Sequence, residues 1–316
     1  MRDLRIVFMG TPEFAVTILH GLLDEGYNVV GVITAPDRPA GRGQKIRESD
    51  VKAFAKARNL NILQPTNLKS ESFLEELEAL KANLQIVVAF RMLPEAVWKM
   101  PAYGTFNLHA SLLPQYRGAA PINWAIINGE TETGVTTFFI DEKIDTGEII
   151  LQESLAIDDK ENAGHLHDRL MIAGKELVIK TVKAIERDDV KTDIQDSSKE
   201  LKTAYKLHSE NTRINWDAPL QEIYNHIRGL SPYPAAYTIL ENGGKEQRVK
   251  IYSAFAKADK EMLIPSGAVT QVDDHLAIAT PEGYICITEM QLSGKKKMAV
   301  KDLLNGYKFD KNAKMR

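Results

Sequence analysis

Short apolar runs alternate with amphipathic stretches through the first half of the chain. Residues 4–9, 28–34, 61–63, 85–90, 105–109 and 135–140 are rich in Val, Ile, Leu and Phe and read as strands. Between them, residues 13–25, 50–58, 71–81 and 121–128 carry apolar positions at helical spacing. This alternation predicts an α/β fold, a doubly wound and mostly parallel sheet joined by right-handed crossovers. A longer helix is expected over 163–187, because Leu166, Leu170, Ala173, Leu177, Ala184 and Ile185 recur close to every 3.6 residues.

The texture then changes. Asp188-Asp189 and Asp196-Ser197-Ser198-Lys199-Glu200 are polar with few apolar anchors, so residues 190–206 are expected to link a first domain, 1–189, to a second, 207–316. In the second, a short helix over 219–228 precedes β-like runs at 236–240, 248–254, 268–272, 275–280 and 284–289. Glu241-Asn242-Gly243-Gly244 supplies a hairpin turn between the first two. Five short strands suggest a small β-barrel of oligonucleotide-binding (OB) type. Composition alone does not choose this over a sandwich.

Composition narrows the class. Apolar residues make 44% of the 316 and charged residues 26%, ordinary for a globular protein. No apolar run approaches the ~20 residues needed to span a bilayer. No secretory leader is recognisable at the N-terminus, so no membrane partner is expected. A single cysteine, Cys286, excludes an internal disulfide and a cysteine-rich zinc site, and a cytoplasmic setting is expected. The net charge of −3 argues against a surface that binds nucleic acid throughout. Yet the last 22 residues hold eight basic side chains, from Lys295 to Arg316, against Asp302 and Asp310. A solvated tail and a polyanion contact explain that imbalance about equally.

Three places could carry chemistry. Gly10-Thr11-Pro12-Glu13-Phe14 occupies the first strand-to-helix turn, where a dinucleotide clamp would lie. Pro12 removes an amide donor from that turn and argues against nicotinamide binding. It fits the first helical position after Thr11 as N-cap. Asn107 and His109, two apart on a predicted strand, share one face near its C-terminal end. An amide and an imidazole there can stabilise a developing oxyanion, although a hydrogen-bonded core histidine explains the pair as well. Asp145, in Asp145-Thr146-Gly147 after the next strand, could polarise His109, or could simply be a turn residue before a glycine.

Asn107-Leu108-His109, Ser111-Leu112-Leu113-Pro114 and Gly118, followed by Asp145-x-Gly147, together resemble the formyltransferases that use 10-formyltetrahydrofolate. The resemblance covers about residues 1–187. It implies a formyltransferase-type Rossmann-like domain, with Asn107, His109 and Asp145 catalytic and no metal. It also implies a folate pocket lined by Phe90, Arg91, Met92, Ser111, Leu112, Leu113 and Pro114. The Ala89-Phe90-Arg91-Met92-Leu93-Pro94 run is closer to the purine-pathway branch than to the commonest tRNA-acting pattern.

Other features resemble the branch acting on methionyl-tRNA. Pro36-Asp37-Arg38-Pro39-Ala40-Gly41-Arg42-Gly43-Gln44-Lys45 is similar to the basic loop inserted there after the second strand. Arg38, Arg42 and Lys45 would then meet tRNA phosphates or bases, and the second domain would hold the tRNA backbone. The resemblance implies a monomer whose partners are initiator methionyl-tRNA and the folate donor. A sugar-nucleotide N-formyltransferase, a folate hydrolase and a noncatalytic tRNA-binding module are the competing readings.

Overall fold

Residues Ile6, Val7, Phe8 and Met9 are fully buried, so their strand must be covered on both faces and flanked on both edges. The computed structural model, which describes residues 1–40, 45–196, 198, 200–259, 261, 263–273 and 275–316, places it so. Strand Arg5–Gly10 lies inside a seven-stranded sheet. From edge to edge the order is Ile149–Ala156, Glu132–Phe139, Thr105–His109, Leu84–Val88, Arg5–Gly10, Asn28–Ile33 and Ile62–Leu63. The last five pair in parallel. Chain order reverses between Arg5–Gly10 and Leu84–Val88, where open α/β sheets leave a crevice beyond the strand ends.

Two features depart from the expected pattern. Thr105–His109 pairs antiparallel with Glu132–Phe139. The edge strand Ile149–Ala156 was not expected, because a half-solvated edge carries Gln152, Glu153 and Ser154 in place of an apolar run. Helix Glu13–Asp24 starts where its apolar spacing predicts, but its cap differs. Pro12, not Thr11, takes its N-cap, without a side-chain capping bond. Helix Ala163–Glu186 buries Leu166, Leu170, Ala173, Leu177 and Ile185, as its period requires. Among the described residues, no helix is long and apolar enough to cross a membrane.

The chain forms two compact units. One holds residues 1–118, 134–155 and 168–203, the other 119–133, 156–167 and 204–316. The second therefore takes helix Pro121–Ile127 from within the first's sequence range. It sits against helix Leu220–Leu230, where Asn123 Nδ2 donates to Gly229 O at 2.7 Å. A Cβ on Gly229 would come within 2.6 Å of Ile127 Cγ1, so only glycine allows this approach. The stretch expected as a linker is tied to the first unit up to Thr203. Asp193 and Ile149 exchange backbone bonds of 2.8 and 2.9 Å, and Tyr116 N donates to Lys202 O at 2.7 Å.

The second unit is a closed antiparallel barrel, consistent with the OB-like expectation. Ala236–Asn242 and Lys245–Ala258 form a hairpin whose two turn residues, Gly243 and Gly244, have φ of +58° and +72°. Such φ values favour glycine in a tight hairpin. The sheet runs Val269–Val272, His275–Thr280, Gly283–Leu292, Lys245–Ala258, Ala236–Asn242, Lys314–Met315. Closure comes from the last residues: Leu240 pairs with Met315, and Lys314 bridges back to Ala268. Ala313 and Met315 are buried, so this end of the basic segment is a barrel strand and not a frayed tail. Its Arg316 pairs with Glu241 at 3.2 Å and with Glu246.

Met315 is fully buried with Ile251, Ile278 and Met290. Met315→Ala is therefore expected to destabilise the barrel by ~2–5 kcal/mol, the range for a large-to-small core change. Urea unfolding followed by circular dichroism measures it. A change below about 0.5 kcal/mol, the scale of ordinary surface substitutions, would show that the closing strand is frayed.

Candidate active site

Alternation along Thr105–His109 separates its side chains by face. Leu108 is pinned beneath helix Ala163–Glu186, where a Cβ on Gly174 would lie 2.8 Å from Leu108 Cδ2. Asn107 and His109 face the other way. Asn107 is half-buried, and its amide makes no hydrogen bond among the described residues. His109 is 7% exposed, with Nε2 at 2.8 Å from Tyr116 O. A carbonyl only accepts, so Nε2 carries the hydrogen and Nδ1 is the uncommitted nitrogen. Nδ1 lies 4.0 Å from Asp145 Oδ2, within ion-pair reach and beyond hydrogen-bond length. The same Oδ2 accepts from Gly118 N at 2.9 Å. The structure thus brings the three residues singled out in the sequence to one strand end.

The loop after His109 owes its shape to internal bonds. Ser111 Oγ donates to Gln115 O at 2.7 Å. Thr136 Oγ1 donates to Ser111 O at 2.6 Å and accepts from Leu113 N at 3.2 Å and Gln152 Nε2 at 2.9 Å. Gln152 Nε2 also reaches Leu113 O at 2.9 Å. Ser111 and Leu113 are buried, while Leu112 and Pro114 are half-buried. The hydroxyl of Ser111 and the carbonyls of Ser111 and Leu113 therefore brace the loop. Tyr116, at φ +59°, turns its carbonyl to His109.

Asp145 sits in a turn that is fastened at three points. Asp141 Oδ1 accepts from Lys143 N at 3.0 Å and Thr146 Oγ1 at 2.7 Å. Gly147 is pressed so close that a Cβ there would stand 1.6 Å from Phe139 O. Gln195 Nε2 donates to Asp145 O at 3.0 Å and Gly147 O at 2.8 Å. Asp145 itself has φ +55°, an uncommon state for a residue with a Cβ. An open cavity of about 630 Å3 borders this turn, lined in part by Trp98, Arg117, Asp141, Thr146 and Gln195.

Phe90, Arg91 and Met92 leave the strand next to His109's: Val88 pairs with Leu108, and Ala89 turns the chain at φ +47°. Phe90 and Arg91 are half-buried and Met92 is 69% exposed. The Arg91 guanidinium donates to Pro65 O and, at 3.1 Å, to Thr66 O, so this side chain anchors the segment to the neighbouring loop. Its Nε is buried without a partner. Burial, and secondarily the nearby Arg38 charge, lower the Arg91 pKa from its ordinary value. Arginine stays charged nonetheless.

The basic loop is a hairpin of Arg38–Ala40 against Lys45–Arg47. Asp37 fastens its base, bonded to Lys52 Nζ at 2.5 Å and Gln64 Nε2 at 2.9 Å. The Lys52 hydrogen bond is the first cause holding the Asp37 carboxyl below its ordinary pKa. Arg38 is exposed. Arg42, Gly41 and Gly43 lie outside the described residues, as does the Lys45 side chain.

Sequence reasoning missed Tyr116, Thr136, Asp141, Gln152 and Gln195. All act through backbone groups or bonds to distant residues, which leave no periodic signal. Among the described residues, no group of three or more His, Cys, Asp or Glu could hold a metal ion.

Residues 4–182 match the family model described as formyl transferase, and residues 206–308 match that of the formyl transferase C-terminal domain. The methionyl-tRNA formyltransferase of Flavobacterium johnsoniae is 59% identical over 315 residues, covering 100% of both chains. That of Bacteroides thetaiotaomicron is 51% identical, covering 99% of this chain and 98% of its own. Among solved structures, the N-formyltransferase of Helicobacter canadensis, in complex with folinic acid and dTDP-3-aminofucose, has a TM-score of 0.66 at 21% identity. It covers 93% of this chain and 100% of its own. HypX of Aquifex aeolicus in complex with tetrahydrofolic acid has a TM-score of 0.65 at 20% identity, covering 98% of this chain and 49% of HypX. At such identities these structures speak for the fold.

Thr136 is fully buried and its hydroxyl joins the loop to its neighbouring strands. Thr136→Val keeps the shape but strands a carbonyl, an amide and a Gln152 N–H. It is expected to cost about 1–3 kcal/mol, while Thr136→Ser stays near wild type. Chemical denaturation decides this, and a neutral valine variant would show that the loop does not depend on that hydroxyl.

Proposed function

This chain belongs to the formyl transferase family, and we propose that it moves a formyl group from 10-formyltetrahydrofolate to the amino group of methionyl-initiator tRNA for translation initiation. Family membership rests on the two matched family models and on full-length relatives at 51–59% identity. The observation that carries the site assignment is the unpartnered Asn107 amide beside the His109–Asp145 pair. A half-buried amide without a protein partner is a donor waiting for a ligand.

The residues around that amide suit a pterin. Phe90 and Met92 offer apolar surface, Leu112 and Pro114 border the same strand end, and the Arg91 guanidinium is held aside by Pro65 and Thr66. Bound there, the folate supplies an electrophilic formyl carbon and N10 as the leaving nitrogen. Asn107 donates to the formyl oxygen as negative charge develops on it. His109 holds a proton on Nδ1, the nitrogen Tyr116 leaves uncommitted, to support that charge and then to protonate N10. Asp145 keeps Nδ1 facing a carboxylate and collects, through water, the proton released by the attacking amine.

Acceptor recognition falls to the basic hairpin and the barrel. Arg38, Arg42 and Lys45 would contact the acceptor end, with residues 207–316 against the tRNA backbone. Such an enzyme works as a monomer in the cytoplasm, where charged tRNA is made. A sugar-nucleotide acceptor is the second reading, since sugar N-formyltransferases share the fold. Full-length identity of 59% to a methionyl-tRNA formyltransferase favours tRNA over it. A noncatalytic tRNA module leaves Asn107, His109 and Asp145 without a purpose.

Offering formyl-labelled folate with charged initiator tRNA, amino-sugar nucleotides or water separates these readings. Label is expected on methionyl-tRNA, and label on the sugar or release as formate would overturn the acceptor assignment. Asn107→Ala and His109→Ala are each expected to lower kcat by about 10²–10³, the cost of losing one oxyanion donor. Folate affinity should stay within a few-fold. Near-normal turnover in either variant would remove that residue from the mechanism.

A further inference from the structure

Gln195 lies in a polar stretch between Ile194, 84% exposed, and Asp196, yet is itself only 7% exposed. Each of its hydrogen-bonding positions is used. The amide nitrogen donates to Asp145 O at 3.0 Å and Gly147 O at 2.8 Å. The amide oxygen accepts from Arg117 Nε at 3.1 Å and Nη2 at 2.6 Å. Carbonyls only accept and a guanidinium only donates, so the amide fits in one orientation. Neither glutamate, which lacks the donors, nor lysine, which lacks the acceptor, could satisfy all four partners.

The carbonyls that Gln195 holds flank Thr146, in the turn that presents the Asp145 carboxylate. Asp145 keeps a left-handed backbone there, and its Oδ2 must stay between Gly118 N and His109 Nδ1. Without Gln195, two carbonyls and the Arg117 guanidinium lose their partner at once, and the turn can relax toward ordinary φ values. The anchoring strand is close by, since Asp193 pairs with Ile149.

We infer that Gln195 is a positioning residue for this reaction, holding the backbone of Asp145-Thr146-Gly147 so that the carboxylate faces His109 Nδ1. Arg117 acts behind it by fixing the glutamine's rotamer. The inference rests on the proposed role of Asp145. A carboxylate misplaced by about 1 Å can lower turnover on the order of 10²-fold without any loss of substrate contact.

The test compares Gln195→Glu, Gln195→Ala and Asp145→Asn in the full chain. It reads kcat, the KM values for formyl donor and charged tRNA, the pH dependence of kcat, and thermal midpoints. Gln195→Glu keeps the acceptor for Arg117 but sets a carboxylate against two carbonyls. Both Gln195 variants are expected to lose roughly 10–100-fold in kcat, with each KM within about threefold and a pH profile displaced from the parent's. Full turnover in both, with Asp145→Asn inactive, overturns the role of Gln195 and leaves that of Asp145 standing. A joint fall in stability and in all kinetic constants marks a merely structural tie and overturns it too. Full turnover in Asp145→Asn instead defeats the reading of Asp145 on which the inference stands.

Discussion

The hydrogen bond from His109 Nε2 to the carbonyl of Tyr116 decides what the site can do. Because that carbonyl cannot donate, one ring nitrogen is committed and the other, Nδ1, is turned to Asp145 and the open strand end. Any proton the ring exchanges moves at Nδ1. The carbonyl reaches its place only because Tyr116 adopts a positive φ, uncommon for a bulky residue and sustained by its own amide bond to Lys202 O. Thr136 and Gln152 hold the preceding turn from the adjacent strands. The loop braces the histidine, while the Asn107 amide beside it makes no hydrogen bond among the described residues.

Much of the fold around this bond is legible in the amino-acid sequence, and the reason is periodicity. Arg5–Gly10 and Leu84–Val88 are buried almost throughout, so a nearly continuous apolar signal marks them. Helix Ala163–Glu186 buries one stripe and leaves a 3.6-residue trace. The shared face of Asn107 and His109 follows from a strand's period of two. Gly243-Gly244 marks its hairpin through the φ values only glycine adopts readily.

What stays hidden depends on partners distant in sequence. Strand Ile149–Ala156 is an edge, and its solvent-facing polar residues resemble loop composition. Helix Pro121–Ile127 looks like any crossover helix, and only the close approach at Gly229 assigns it to the second unit. Met315 reads as one apolar residue in a basic tail until Leu240 and Ala268 are seen beside its strand. Gln195 has no signal at all. A glutamine among aspartates and serines is ordinary, and its meaning lies in carbonyls some 50 residues away.

Those distant partners also show why composition misleads at residues 190–206. Few apolar side chains and many charges usually mark a tether with little to bury. Here the stretch is anchored through its backbone and one buried amide. Gln195 holds the turn of Asp145, while Lys202 holds Tyr116 and, through it, His109. Between them, Gln115 Nε2 donates to Glu200 O at 3.1 Å and its Oε1 accepts from Lys202 N at 2.8 Å. One strap therefore sets both members of the His109–Asp145 pair, whose separation of 4.0 Å leaves little tolerance for drift. A boundary drawn at residue 189 would retain every side chain assigned to the chemistry and discard the groups that orient two of them. The first compact unit extends to residue 203, and the bonds that fix the geometry of the pair, not its identity, are completed there.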